Sequence, residues 1–278
     1  MLVVSTVKRL LVWDGMQINK VERDNAFGLT WDKDSIYFSW NPLHRNFSVI
    51  DRFNKQFEFQ ESILDQEQWN IHQMYFYDGY LYITATGQNR IARLDPKTNE
   101  FILQRFDEPQ HCNSIFAYKD VLYFHNSNGR RNQDSDVLKF DKDLNYLGRF
   151  VIKEPGHIFH NLYIKDDILY GCCHKNDGSR RSNLYVFDMK AGKGDLMEFR
   201  KDTENGFLRG VAKSEDYFFI GESQQEAIRS ERLMGNSRIL VVDNNFKLVD
   251  TFELEDTGQI RDVRLMVNDR AHNGIDYE

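Results

Sequence analysis

A unit of roughly 40–50 residues recurs along this chain, and a period of that length restricts it to repeat architectures. The second copy reads IHQMYFYDGYLYITATGQNRIARLDPKTNEFILQRF, the third HCNSIFAYKDVLYFHNSNGRRNQDSDVLKFDKDLNYLGRF and the fourth FHNLYIKDDILYGCCHKNDGSRRSNLYVFDMKAGKGDLMEF. The fifth runs from Leu208 to Leu254, and a looser first copy from Ala26 to Phe59. In each, a short strand ends at a turn such as Tyr77-Asp78-Gly79 or Lys165-Asp166-Asp167, and a second begins with Leu81-Tyr82, Leu122-Tyr123 or Leu169-Tyr170. A third strand closes on Asp51, Asp95, Asp141, Asp188 or Asp243, and a polar turn leads to a fourth. Asp, Asn and Gly suit these turns because they tolerate left-handed backbone or bond to their own main chain. Four antiparallel strands repeated at this length make a propeller blade.

Five full copies leave matching fragments at the two ends. The late GQIRDVRLM reads as a first strand with nothing after it, and the early LLVWDGMQINKV as later strands with none before. Joined, they complete an all-β six-bladed β-propeller whose last blade is closed by N-terminal strands, which removes two sheet edges open to aggregation. The blades fall at about 24–66, 67–108, 109–154, 155–204, 205–256, and 257–278 with 1–23. The competing arrangement is five blades and a separate hairpin.

Composition narrows the partners. A net charge of −7 argues against nucleic acid, which calls for a basic footprint. The three cysteines, two of them adjacent, imply no disulfide framework and suit a reducing compartment. No stretch approaches the ~18 apolar residues of a membrane span, and Lys8 and Arg9 break the early apolar run. The expectation is a cytoplasmic protein that binds neither membrane nor nucleic acid, with its oligomeric state open.

The repeat shape resembles the six-bladed superfamily of strictosidine-synthase-like, gluconolactonase-like and NHL-like propellers. The resemblance spans the chain, rests on architecture rather than a catalytic motif, and implies the fold without an activity.

Counting back from the blade turns locates the channel. Six residues before Asp78 stands His72, and the corresponding positions are Phe27, Asn113, His160 and Arg209. His111 lies two residues before Asn113, on the same side of its strand, with Asn25 and Asn70 as counterparts. The loops after the second strands carry His44, His125, Arg130, Arg131, His174, Arg180, Arg181, Glu222 and Gln224, and His157 precedes the fourth blade. Seven of the eight histidines thus map to one face.

Neutral imidazole is a common transition-metal ligand, and His72, His111 and His160 are the candidate trio for Zn, Mn or Fe. Some propeller lyases hold zinc with three such histidines, and this arrangement looks similar, although no short metal motif is present. The plainer alternative is histidines bonded to water or carbonyls. Glu222 is a candidate added metal ligand or general base, His174 a candidate catalytic group and Arg209 a catalytic or substrate-anchoring cation, since guanidinium matches carboxylate and phosphate. Asn113, Asn70, Arg130, Arg181 and Gln259 complete the expected substrate contacts. Cys172 beside His174 is a weaker thiol candidate, more often a small buried hydrophobe, and Asp262 stands where it can face the channel. No nucleotide-cofactor motif occurs. The expectation is a metal-dependent lyase or hydrolase acting on a small anionic molecule. The alternatives are a non-catalytic propeller binding a small ligand, glycan or peptide, and an interaction scaffold.

Overall fold

The computed structural model describes residues 1–14, 18–23, 25–42, 47–67, 69–106, 111–127, 134–153, 157–175, 182–197, 199, 206–224 and 233–266. These form six four-stranded antiparallel sheets. The innermost strands are Ala26–Trp31, Ile71–Tyr77, Cys112–Tyr118, His157–Lys165, Phe207–Lys213 and Ile260–Leu265, taken here as the start of blades one to six. Each touches the innermost strand of the next blade, and the sixth touches the first, so the ring is closed. The sixth sheet joins the two ends of the chain: Leu2 pairs with Leu265 and Val4 with Val263, while Leu2–Thr6 also pairs with Arg9–Trp13. The six-bladed propeller with an N-terminal closure is therefore the observed fold. No helix among the described residues is long and apolar enough to cross a membrane.

Local chemistry explains the blades. The first hairpins of blades two, three and four turn on consecutive residues with positive φ, Asp78-Gly79, Lys119-Asp120 and Asp166-Asp167, as two-residue hairpin loops require. Asp95, Asp141, Asp188 and Asp243 each accept a main-chain N–H two residues on, which sets the next turn. Asp51 departs from the expected pattern. It lies within the strand Phe47–Asn54, is buried, and accepts bonds from Arg23, Trp40 and Ser62. Asn54 shapes that turn instead, by accepting the N–H of Gln56 and Glu58.

Large aromatic residues fill the space between blades: Trp31, Trp69, Tyr75, Tyr82, Phe116 and Phe159 are fully buried. Rings meet edge-on across seams, as Phe116 does with Tyr75 on one side and Tyr163 on the other. Edge-to-face pairs of this kind add roughly 0.5–1.5 kcal/mol each beyond the area they bury.

One irregularity recurs in all six blades. The pairing of each innermost strand with its neighbour slips, at Phe27-Gly28, His72-Gln73, Asn113, Asn161, Arg209-Gly210 and Arg261. A bulge re-aims side chains and breaks the strict alternation of a strand. Here it lets two successive residues per blade reach the axis.

Candidate functional site

The bulges build two tiers around the channel. The upper tier, nearer the strand starts, is Phe27, His72, Asn113, His160, Arg209 and Arg261. The lower tier, one residue further on, is Gly28, Gln73, Ser114, Asn161, Gly210 and Asp262.

The lower tier is a cross-brace. Asp262 is buried on the axis and accepts bonds from Asn161 Nδ2 at 2.9 Å, Arg264 Nε at 3.0 Å, the Val263 N–H at 3.0 Å and, more weakly, Gln73 Nε2 at 3.3 Å. Asn161 Oδ1 accepts the Gly210 N–H at 2.8 Å, and Gln73 Oε1 accepts the Ile115 N–H at 2.7 Å. Blades two, four and six thus send a long polar side chain inward, and blades one, three and five supply Gly, Ser and Gly. The small residues are required by space. A Cβ on Gly210 would stand 2.6 Å from the Val263 nitrogen, and one on Gly28 would stand 2.7 Å from that of Met74. Burial raises the Asp262 pKa, and the Arg264 guanidinium opposes that rise.

The upper tier carries the chemistry. His72 lies 5.3 Å from the Phe27 ring and 5.4 Å, edge-on, from His111. Across the mouth His160 stacks on His174 at 5.4 Å with 9° between their planes, and Phe207 packs on both. Asn113 Nδ2 donates to the Phe159 carbonyl at 2.6 Å, which orients the amide, and lies 3.3 Å from His160 Nδ1. An amide nitrogen only donates, so this contact assigns the lone pair to Nδ1 and the His160 proton to Nε2. Burial, followed by the positive Arg209 and then by His174, His72 and His111, holds the His160 pKa well below its ordinary value. The imidazole is therefore neutral at pH 7. Arg209 is 6% exposed. Its guanidinium carbon lies 5.9 Å from the centre of the Phe27 ring, and that of Arg261 lies 4.6 Å from the same ring.

The expected residues divide as follows. His72, Asn113, His160, Arg209 and His174 meet at the mouth, and His111 joins His72. Among the described residues no three His, Cys, Asp or Glu side chains are grouped to hold one metal ion. The proposed ligands are arranged as a His72–His111 pair, with His160 engaged by Asn113 and His174. Glu222 is buried on the face of blade five that packs on blade four, opposite Leu208, and accepts a 2.5 Å bond from Arg238 Nε. Asn70 is exposed, with φ of 46°; the main-chain bond matching His111 O to Ser127 N is made by Trp69 O to Gly87 N. Gln259 is buried and its Oε1 accepts from Arg261 at 2.7 Å. Arg130, Arg131, Arg180, Arg181, His44 and His272 lie outside the described residues.

His125 and His157 flank Phe159 at the seam between blades three and four. Cys172 is fully buried, bonds to the Gly210 carbonyl, and is pushed up in pKa by burial, which suits a hydrophobe and not a thiolate nucleophile. Three contributors were not singled out from sequence. Arg261 is the sixth upper-tier residue, and Gln73 and Asn161 hold the lower tier.

Neither protein-family models nor curated protein sequences match this chain. Solved structures do. A chain of the nidogen/laminin complex is similar at a TM-score of 0.70 and 12% identity, covering 95% of this chain and 96% of that one. A streptogramin B lyase gives 0.53 and 14%, covering 90% and 86%. The virginiamycin B lyase of Staphylococcus aureus gives 0.54 and 14%, covering 87% and 95%. Identities this low carry the propeller fold alone.

Proposed function

We propose that the channel mouth binds a small anionic molecule and promotes a lyase-type proton transfer on it. The observation that carries this reading is a buried cation, Arg209, acting on a buried neutral imidazole, His160, whose proton is assigned to Nε2. Arg209 would anchor the substrate's negative group. His160 Nε2–H would donate to the oxygen on which charge develops, since a neutral imidazole can serve as an electrophile. His174, stacked on His160, would take the substrate's proton. An anion at Arg209 offsets the guanidinium's effect on His160, so the proton is held more firmly when substrate is present. Glu222, committed to Arg238, is better suited to shaping the wall than to abstracting a proton. Two propellers of similar architecture are lyases by name, in keeping with this class of chemistry.

The test is a panel of small carboxylates and phosphates screened by thermal shift, followed by turnover of those that bind. Arg209→Gln should lose binding, and His160→Gln should keep binding while turnover falls at least about 100-fold, the size of a general-acid contribution. A wild-type protein that no anion stabilises refutes the reading. Binding without turnover supports a non-catalytic module instead.

A metal-dependent version rests on proximity: His72 and His111 lie close enough to His160 to be among the groups that lower its pKa. It requires the His72–His111 pair to turn toward His160 to hold Zn, Mn or Fe. Elemental analysis of protein purified without chelator or histidine tag decides it. About one ion per chain, lost in His72→Ala and His160→Ala, supports the trio, and a metal-free protein that gains no stability from these ions refutes it.

A further inference from the structure

We infer that the anionic group recognised at the mouth is a phosphoryl group, held between Arg209 and Arg261 beside Phe27; this rests on the anion-binding reading above. Arg209 and Arg261 come from adjacent blades and hold the same bulge position in their strands. Both guanidinium carbons lie within 6 Å of the centre of one ring, that of Phe27 on blade one. Both cations therefore border the same ring at the channel mouth. Like charges brought together stabilise a ligand that offers each of them its own acceptors.

The ring of six upper-tier residues contains two arginines and no carboxylate, in a protein whose net charge is −7. The carboxylate one tier below, Asp262, is bonded to Arg264, Asn161 and a main-chain N–H. Arg261 is steadied by Gln259, whose Oε1 accepts from its Nη1 at 2.7 Å, so one guanidinium is pre-oriented.

Geometry separates the anions. A carboxylate has two oxygens in one plane and offers one bidentate edge. A phosphoryl group has three oxygens and presents separate edges to two guanidiniums, with a charge of about −1.5 to −2 at pH 7. Phe27, with His72 beside it, gives the rest of the molecule an aromatic wall. The class of ligand is thus a small phosphorylated molecule.

The experiment is calorimetric titration at fixed ionic strength with inorganic phosphate, acetate and malonate, on wild type, Arg209→Gln, Arg261→Gln and Arg261→Lys. The proposal expects phosphate to bind more tightly than acetate or malonate. Each Gln variant should lose about tenfold or more, the worth of a charged hydrogen bond. Arg261→Lys should recover only part, because an ammonium lacks the fork. Unliganded melting temperatures close to wild type establish folding, and Arg261→Lys carries the test if the Gln variant does not fold. If phosphate affinity survives in Arg261→Gln and is lost in Arg209→Gln, the two-arginine clamp is wrong and the anion site stands. If malonate binds through both arginines and phosphate does not, the phosphoryl assignment is wrong. If no anion binds wild type, both readings fall.

Discussion

The two tiers of the channel lie one residue apart on the same six strands and are built to opposite ends. In the lower tier Gln73, Asn161 and Asp262 bond to one another or to strand backbone, and Gly28 and Gly210 clear the space they need. In the upper tier the polar groups are two guanidiniums, two imidazoles and an amide, set beside Phe27 and Phe207. The bulge makes this division possible. It spends one residue per blade on bracing the ring and frees the next to face a ligand, so the mouth can change chemistry without loosening the propeller.

The largest effect that could break this comparison is in stability. Asp262→Ala removes the acceptor shared by blades two, four and six and breaks the ion pair of the buried Arg264, whose side chain is 5% exposed. Removing one partner of a buried pair costs ~3–5 kcal/mol. Arg209→Ala, one tier up, removes none of the bonds that brace the lower tier and should cost less. Urea unfolding of both variants measures the difference. Equal losses would mean that the tiers are not divided as described.

A smaller contrast sits within the lower tier. Gly210 has φ of +86°, and a Cβ there would meet backbone of the neighbouring strand. Gly210→Ala should cost ~1–2 kcal/mol for the left-handed conformation alone, with the close approach added. Ser114→Ala, in the equivalent place on blade three, loses one hydroxyl bond to Asn113 and should cost about 1 kcal/mol. A Gly210→Ala protein as stable as Ser114→Ala would show that the blades have room to separate at the axis.

The fold was legible because turn chemistry and strand pairs repeat along the chain, and closure because the two end fragments complement each other. The same turn counting placed Phe27, His72, Asn113, His160 and Arg209 in one tier, since the inner strands keep a near-constant distance to their turns. It missed Arg261 for a topological reason: the inner strand of blade six pairs with the other end of the chain, so no following turn exists to count from. Gln73 and Asn161 were missed because alternation sends every second side chain inward, and the bulge overrides alternation. Asn70 is not the counterpart of His111, because blade two has an extra residue between Trp69 and His72 and Trp69 makes the matching bond. The role of Glu222 was hidden by a cross-strand partner, Arg238, distant in sequence.

The finest test separates two buried histidines by pH. His125 lies in the seam between blades three and four, with no hydrogen-bond partner on either ring nitrogen among the described residues, and burial, aided by His111, lowers its pKa to about 3. His160 is lowered by burial, by Arg209 and by the histidines 174, 72 and 111. Below about pH 6.5 the unfolded chain binds a proton at each site while the folded protein does not. Stability must therefore fall as pH falls, by about 1.4 kcal/mol per pH unit for each histidine. Asp262, raised in the fold, acts in the opposite sense above its unfolded value, and comparing variants with wild type cancels it. Between pH 6 and 5, His125→Phe and His160→Gln should each reduce the slope of unfolding free energy by one proton. His125→Phe should also gain stability at pH 5, because an apolar ring of similar shape suits a site without polar partners. Only the His160 share should respond to a ligand. A saturating anion at Arg209 favours the imidazolium, so it should flatten the slope in wild type and in His125→Phe and leave His160→Gln unchanged. An anion that flattened all three slopes equally would be acting away from the mouth, and the upper tier would lose its claim to be the binding surface.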